Sequence, residues 1–124
     1  DYSDFVTDVI TDLNESVKLA ETAGISREKI IIDPGVGFAK SYEQNLQIIN
    51  NVDKLCELEL PVLLATSRKS VIGLTLDLPK DQRLEGTLAT TVMGVMKGCA
   101  FVRVHDIKEN KRAILMTEAI LGRK

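Results

Sequence analysis

Three times in this sequence a short apolar run stops against a cluster of Gly, Pro, charge or hydroxyl, and each cluster is followed by a segment with helical periodicity. Lys29-Ile30-Ile31-Ile32 meets Asp33-Pro34-Gly35-Val36-Gly37-Phe38. Pro61-Val62-Leu63-Leu64-Ala65 meets Thr66-Ser67-Arg68-Lys69-Ser70. Ala100-Phe101-Val102-Arg103-Val104 meets His105-Asp106. Each run has strand length, and the first is apolar on both faces, as in strands covered by helices on both sides. Strands alternating with helices form a parallel sheet whose C-terminal strand ends point the same way. The three clusters, far apart in sequence, are therefore expected to meet in space.

Between these runs the helices are readable. Phe5, Val9, Ile10, Leu13, Val17 and Ala20 recur at spacings of three and four and predict an amphipathic helix that Gly24 stops. Ser41-Tyr42-Glu43-Gln44 is a capping box, after which Leu46, Ile49, Val52 and Cys56 line one face of a second helix. Pro61 opens the second strand, where a missing N–H is tolerated. A short helix is expected near 69–76, a surface loop at 77–81, and a longer helix at 82–97 that turns Leu84, Leu88, Val92, Val95 and Met96 inward and ends at Gly98. Strand 100–104 and a helix at 108–121 complete the series. The expected fold is a single α/β domain over 1–124: one helix, then three strand–helix units. Three strands are few for a closed barrel or a doubly wound sheet.

Composition limits the partners. The chain is 44% hydrophobic and 27% charged with a net charge of −2, which lacks the basic excess of a nucleic-acid or acidic-membrane surface. No apolar stretch is long enough to span a bilayer. Cys56 and Cys99 fit neither a disulfide framework nor a zinc spacing, and both are expected as buried core thiols in a reducing compartment. The acidic N-terminus has no apolar core of a secretion signal, so the expected location is cytoplasmic. The chain begins at Asp1 without Met, which points to a processed chain or a fragment.

The clusters carry chemistry, each beside a plainer alternative. Asp33 either opens a turn or offers a carboxylate to an amidine-like edge such as a 2-aminopyrimidinone ring, with Gly35 and Gly37 letting backbone approach a ligand. Thr66-Ser67-Arg68-Lys69-Ser70 is either a solvated loop with Ser as helix cap, or an anion-binding segment at a helix N-terminus. Residues i and i+2 of a strand share a face, so Phe101, Arg103 and His105 stand together. An Arg in an apolar strand needs an anion, from the protein or from a ligand. His105, the one histidine of the chain, is either structural or part of that site. The set suits a nitrogen heterocycle next to a phosphate; no metal-ligand spacing is present.

These residues together, Asp33-Pro34-Gly35-Val36-Gly37-Phe38-Ala39-Lys40, Thr66-Ser67-Arg68-Lys69-Ser70 with Ile72-Gly73, Glu85-Gly86-Thr87-Leu88-Ala89 and Arg103-Val104-His105-Asp106, strongly resemble the dihydropteroate synthases of the pterin-binding family, over essentially the whole chain. The resemblance implies the C-terminal part of a TIM (β/α)8 barrel with its site at the strand C-termini. It also implies the condensation of 6-hydroxymethyl-7,8-dihydropterin pyrophosphate with p-aminobenzoate. By the same resemblance Asp33 and Lys69 hold the pterin and Gly37 packs beside it. Arg103 and His105 hold the leaving pyrophosphate, with Ser67 near them. Phe38, Ser67 and Arg68 border p-aminobenzoate, where sulfonamide inhibitors compete. Lys69, Arg103 and His105 are the catalytic set. Ala39 and Ala65 stand where the family often has Gly. The family's Mg²⁺ loop and its earlier Asp and Asn pterin ligands have no counterpart in these residues, so the 124 residues alone are expected to be inactive or nearly so. Two other readings are a methyltetrahydrofolate-binding methyltransferase of the same superfamily and a non-catalytic partial barrel packed on another chain. Open strand edges predict self-association or a homodimer.

Overall fold

The computed structural model describes residues 2–123. Helix α1 (Tyr2–Thr22) turns Phe5, Val9, Ile10, Leu13 and Val17 toward the core. Gly24, at φ 97°, ends it with the Ile25 amide returning to Ala20 O at 3.0 Å. A 3₁₀ turn at Arg27–Lys29 takes up the start of the expected first strand. What remains is one parallel bridge, Ile32 to Val62, closed by Ile32 N→Pro61 O and Leu63 N→Ile32 O, each 2.9 Å. Two causes shorten it. Pro34 has no amide to continue the ladder, and among the described residues Ile31, 52% exposed, takes part in no strand pairing.

Strand β1 (Leu63–Leu64) pairs in parallel with β2 (Phe101–Val102), in the register Leu63–Phe101 and Leu64–Val102. The three extended segments thus lie in chain order with β1 in the middle. Helices α2 (Tyr42–Asn50) and α3 (Val52–Cys56) follow the first segment, α4 (Ser70–Leu76) and α5 (Leu84–Lys97) the second, and α6 (Ile107–Leu121) the third. A 3₁₀ turn at Lys80–Gln82 lies within the stretch expected as loop and helix start. The capping box forms: Gln44 N→Ser41 Oγ is 3.1 Å and Ser41 N→Gln44 Oε1 is 2.9 Å.

Val36, Ile48, Val52, Leu55, Val62, Leu64 and Val71 form the dry centre. Two helices differ from expectation in the face they bury. The second is broken at Asn51, so no single stripe runs through α2 and α3; Ile48 and Leu55 are buried while Leu46 is 40% exposed. Helix α5 buries Thr87, Thr91, Gly94 and Val95, whereas Met96 is 57% exposed. Small residues occupy that seam because its neighbours come close. Thr91 Oγ1 donates to Asn110 Oδ1 of α6 at 2.7 Å, both residues being buried. Cys56 and Cys99 are half-buried rather than fully buried, and lie side by side as free thiols. Burial, then the neighbouring Cys56, pushes the Cys99 thiol up to about 12. Among the described residues no helix is long and apolar enough to cross a membrane.

Gly86 marks the closest approach of α4 and α5: a Cβ there would lie 2.3 Å from Ile72 Cγ2. Gly to Ala within a helix ordinarily gains up to about 1 kcal/mol. Gly86→Ala is expected to lose about 1–3 kcal/mol through overpacking against buried Ile72, read as a lower urea midpoint at unchanged m-value.

Candidate functional site

The three strand ends frame a cavity of about 400 Å³ lined by Asp33, Phe38, Ser67, Lys69, Arg103 and His105, with Ala65 and Val104 between them. Six residues singled out from sequence thus meet as parallel pairing requires. Gly37 lies against the site and Arg68 turns away from it.

The first cluster is a folded loop, and Asp33 makes its turn while facing the cavity. Its Oδ1 accepts from Gly35 N at 2.8 Å, making a turn, and its carboxylate also lines the cavity. Lys40 Nζ donates to Gly35 O at 3.0 Å and Phe38 O at 3.2 Å, and Gly37 N donates to buried Asn45 Oδ1 at 2.9 Å. Gly37, at φ 87°, is needed twice over: a side chain there is strained, and its Cβ would lie 3.2 Å from Lys69 Cδ. Ala39 adopts φ 52°, a left-handed conformation unusual for a residue with a side chain.

The second cluster is not a solvated loop. Thr66 and Ser67 are buried. Lys69, not Ser70, occupies the cap position of α4, and no side chain caps it. Arg68 adopts φ 59°, a left-handed turn that sends the adjacent side chains in different directions. Its amide donates to Thr87 Oγ1 at 3.3 Å, and its carbonyl accepts from Arg83 Nη1 at 2.9 Å. Its guanidinium pairs with Asp106 Oδ1 at 3.2 Å, so Asp106 serves the ion pair and makes no side-chain cap on α6. Lys69 enters the cavity, where Nζ donates to Val36 O at 2.5 Å and stands 4.9 Å from the centre of the Phe38 ring.

In the third cluster the burial argument for Arg103 fails: β2 ends at Val102, and Arg103 and His105 are exposed at the cavity rim. Arg103 makes no ion pair among the described residues. His105 is tied to Ser67, whose Oγ is 2.7 Å from Nδ1 and accepts from His105 N at 3.1 Å.

The pocket therefore gathers two cations around one carboxylate. Burial is the main cause that lowers the Lys69 pKa from 10.5; Asp33 opposes it, and Arg103 and Lys40 add to it. Such a site favours an anion. The donors do not suit a magnesium ion, which wants oxygen ligands without competing cations, and no cluster of three or more His, Cys, Asp or Glu forms among the described residues. Sequence reasoning missed the layer behind the site. Asn45, Arg83, Thr87, Thr91 and Asn110 carry no pocket chemistry, and only their packing distinguishes them from ordinary helical polar residues.

This geometry defines a parallel α/β protein with a cationic strand-end site that also presents a carboxylate. The sequence profile of the pterin binding enzymes matches residues 1–105, and the chain belongs to that family. It is 53% identical to a dihydropteroate synthase of Clostridium beijerinckii over 99% of this chain and 46% of that protein. A dihydropteroate synthase structure from Clostridium difficile, determined in the presence of pteroic acid, superposes with TM-score 0.93 at 46% identity, covering 97% of this chain and 45% of that one. The Yersinia pestis enzyme in a sulfonamide drug complex superposes with TM-score 0.93 at 36% identity, over 97% and 44%. The chain spans under half the length of these relatives.

Because folding lowers the Lys69 pKa, its charged form weakens the fold at neutral pH, and that penalty lifts as pH rises through the lowered value. An anion held by the ammonium is released over the same interval. In ¹³C NMR of ε-labelled lysine, one Cε signal is expected to titrate below 10.5 and to be missing in Lys69→Met. A midpoint common to all lysines would contradict this.

Proposed function

We propose that the chain supplies the pterin- and pyrophosphate-binding wall of a dihydropteroate synthase, as the last three strand–helix units of a (β/α)8 barrel preceded by one helix. The observation that carries the reading is the convergence of Asp33, Lys69, Arg103 and His105 on one cavity at parallel strand ends, in a member of the pterin-binding family. The free Asp33 oxygen accepts from the amino-pyrimidinone edge of the pterin, and Lys69 donates to a pterin heteroatom. Arg103 and His105 hold the pyrophosphate. The bond from the pterin methylene to pyrophosphate oxygen breaks, its electron pair staying on that oxygen, where Arg103 and the His105 ring stabilise the growing charge. The amine of p-aminobenzoate forms the new C–N bond to the methylene and loses a proton to water. Phe38 borders the arylamine, and sulfonamides take the same place. Arg68, which the resemblance also sets beside the arylamine, is held by Asp106 outside the cavity lining.

Magnesium belongs to the family reaction, but the residues present here do not suit it, and no step above is routed through it. The reading places the chain in the cytoplasm. Ile31 and Phe101, about half exposed beside the paired segments, together with Leu115, Met116 and Ile120 on α6, support self-association. Sedimentation velocity over a concentration series is expected to show dimer or larger species, and a monomer throughout would refute this.

Binding separates the roles. Arg103→Ala is expected to weaken inorganic pyrophosphate binding by about 10- to 100-fold, the scale of hydrogen bonds to a charged group. Asp33→Asn is expected to leave pyrophosphate binding intact and to weaken pteroic acid by a similar factor. Calorimetric titration in which both ligands bind equally well to both variants would defeat the proposal.

A further inference from the structure

The contact between Ser67 and His105 has a direction that donor accounting determines. Ser67 is 7% exposed at the end of β1, and its hydroxyl oxygen meets two groups of the same residue: the His105 amide at 3.1 Å and ring Nδ1 at 2.7 Å. A backbone N–H only donates, so it takes one lone pair of the oxygen. Ser67 makes no other side-chain hydrogen bond among the described residues, which leaves Nδ1 as the one acceptor for its hydroxyl hydrogen. The reverse arrangement, Nδ1–H donating to Oγ, would give the oxygen two donors and leave the hydroxyl hydrogen of a residue only 7% exposed without an acceptor among the described residues, which is costly. With Nδ1 accepting, the ring proton of a neutral imidazole sits on Nε2.

We propose that Ser67 is a positioning residue that locks neutral His105 as its Nε2–H tautomer, so that the free edge of the ring presents a donor to an anion. The opposite tautomer would turn a lone pair on Nε2 toward the same anion. Arg103, two residues earlier on the rim, then shares the anion with a neutral donor rather than with a second obligatory cation. This makes Ser67 act through His105 rather than on the ligand. The purpose of the lock rests on the pyrophosphate reading above; the tautomer itself does not.

His105 is the only histidine, so the ring is read without overlap. Long-range ¹H–¹⁵N correlation on ¹⁵N-histidine-labelled chain is recorded at about pH 8.5, above the ordinary histidine range. The expected spectrum has Nδ1 as a pyridine-type nitrogen and Nε2 as a pyrrole-type nitrogen, without averaging. In Ser67→Ala the two signals move toward each other as the second tautomer becomes populated, while Ser67→Thr, which keeps the hydroxyl, holds the wild-type pattern. Inorganic pyrophosphate shifts Nε2 in the wild type, and its affinity falls about three- to tenfold in Ser67→Ala, the size of one modest hydrogen bond. A wild-type ring protonated on Nδ1, or a tautomer ratio unmoved by Ser67→Ala, overturns the lock. An Nε2–H ring that ignores pyrophosphate supports the lock and rejects the leaving-group role of His105.

Discussion

The parallel pairing of the middle segment holds the rest of the molecule in place. Val62, Leu63 and Leu64 use both edges of their backbone, one toward Ile32 and the other toward Phe101 through Arg103. Few hydrogen bonds are involved, yet parallel pairing admits one polarity, and that polarity brings Asp33, Ser67 and His105 to one end. The helices cannot provide this alignment, because none of the residues lining the cavity lies within one. Burial of Ile32, Val62 and Leu64 resists a one-residue register slip, which would turn their side chains outward.

Behind the cavity lies a polar layer that fixes direction rather than bulk. Thr66 Oγ1 contacts Thr90 Oγ1 at 2.5 Å, Thr87 takes the Arg68 amide, and Arg83 takes the Arg68 carbonyl and Leu78 O. Thr91 holds Asn110, whose Nδ2 donates to Asp106 O at 2.8 Å. Satisfied buried networks of this kind favour one arrangement over many similar ones. Here they maintain a left-handed residue between two side chains with different tasks: Ser67 buried against His105, and Lys69 extended into the pocket.

How legible this was in the sequence depended on the range of the cause. Local causes could be read directly. The capping box at Ser41 and the stops at Gly24 and Gly98 follow from chain chemistry within a few residues, and the convergence of the strand ends follows from the alternation of strands with helices. Causes that needed a neighbour could not. Whether residues 29–33 form a strand depends on partners at both edges, and among the described residues only Val62 bridges to this segment. The buried face of α5 is set by close approach to α4 and α6, so threonines and glycines replace the leucines that periodicity favours. The direction of Arg68 depends on a positive φ at a residue type that seldom adopts one. The pairing of Cys56 with Cys99 joins positions 43 residues apart (99 − 56) with no spacing motif.

The seat of Lys69 has an energetic consequence. An ammonium that enters a pocket from water must first shed hydration, and that loss usually opposes ligand capture. In this chain folding has already removed part of that water and substituted the Val36 carbonyl and the face of the Phe38 ring. A ligand that displaces these two contacts exchanges one set of protein-held interactions for another, with little rearrangement of solvent. The pocket is thus preorganised by an internal counter-group, and part of the dehydration of its central cation is a property of the fold rather than of the binding step.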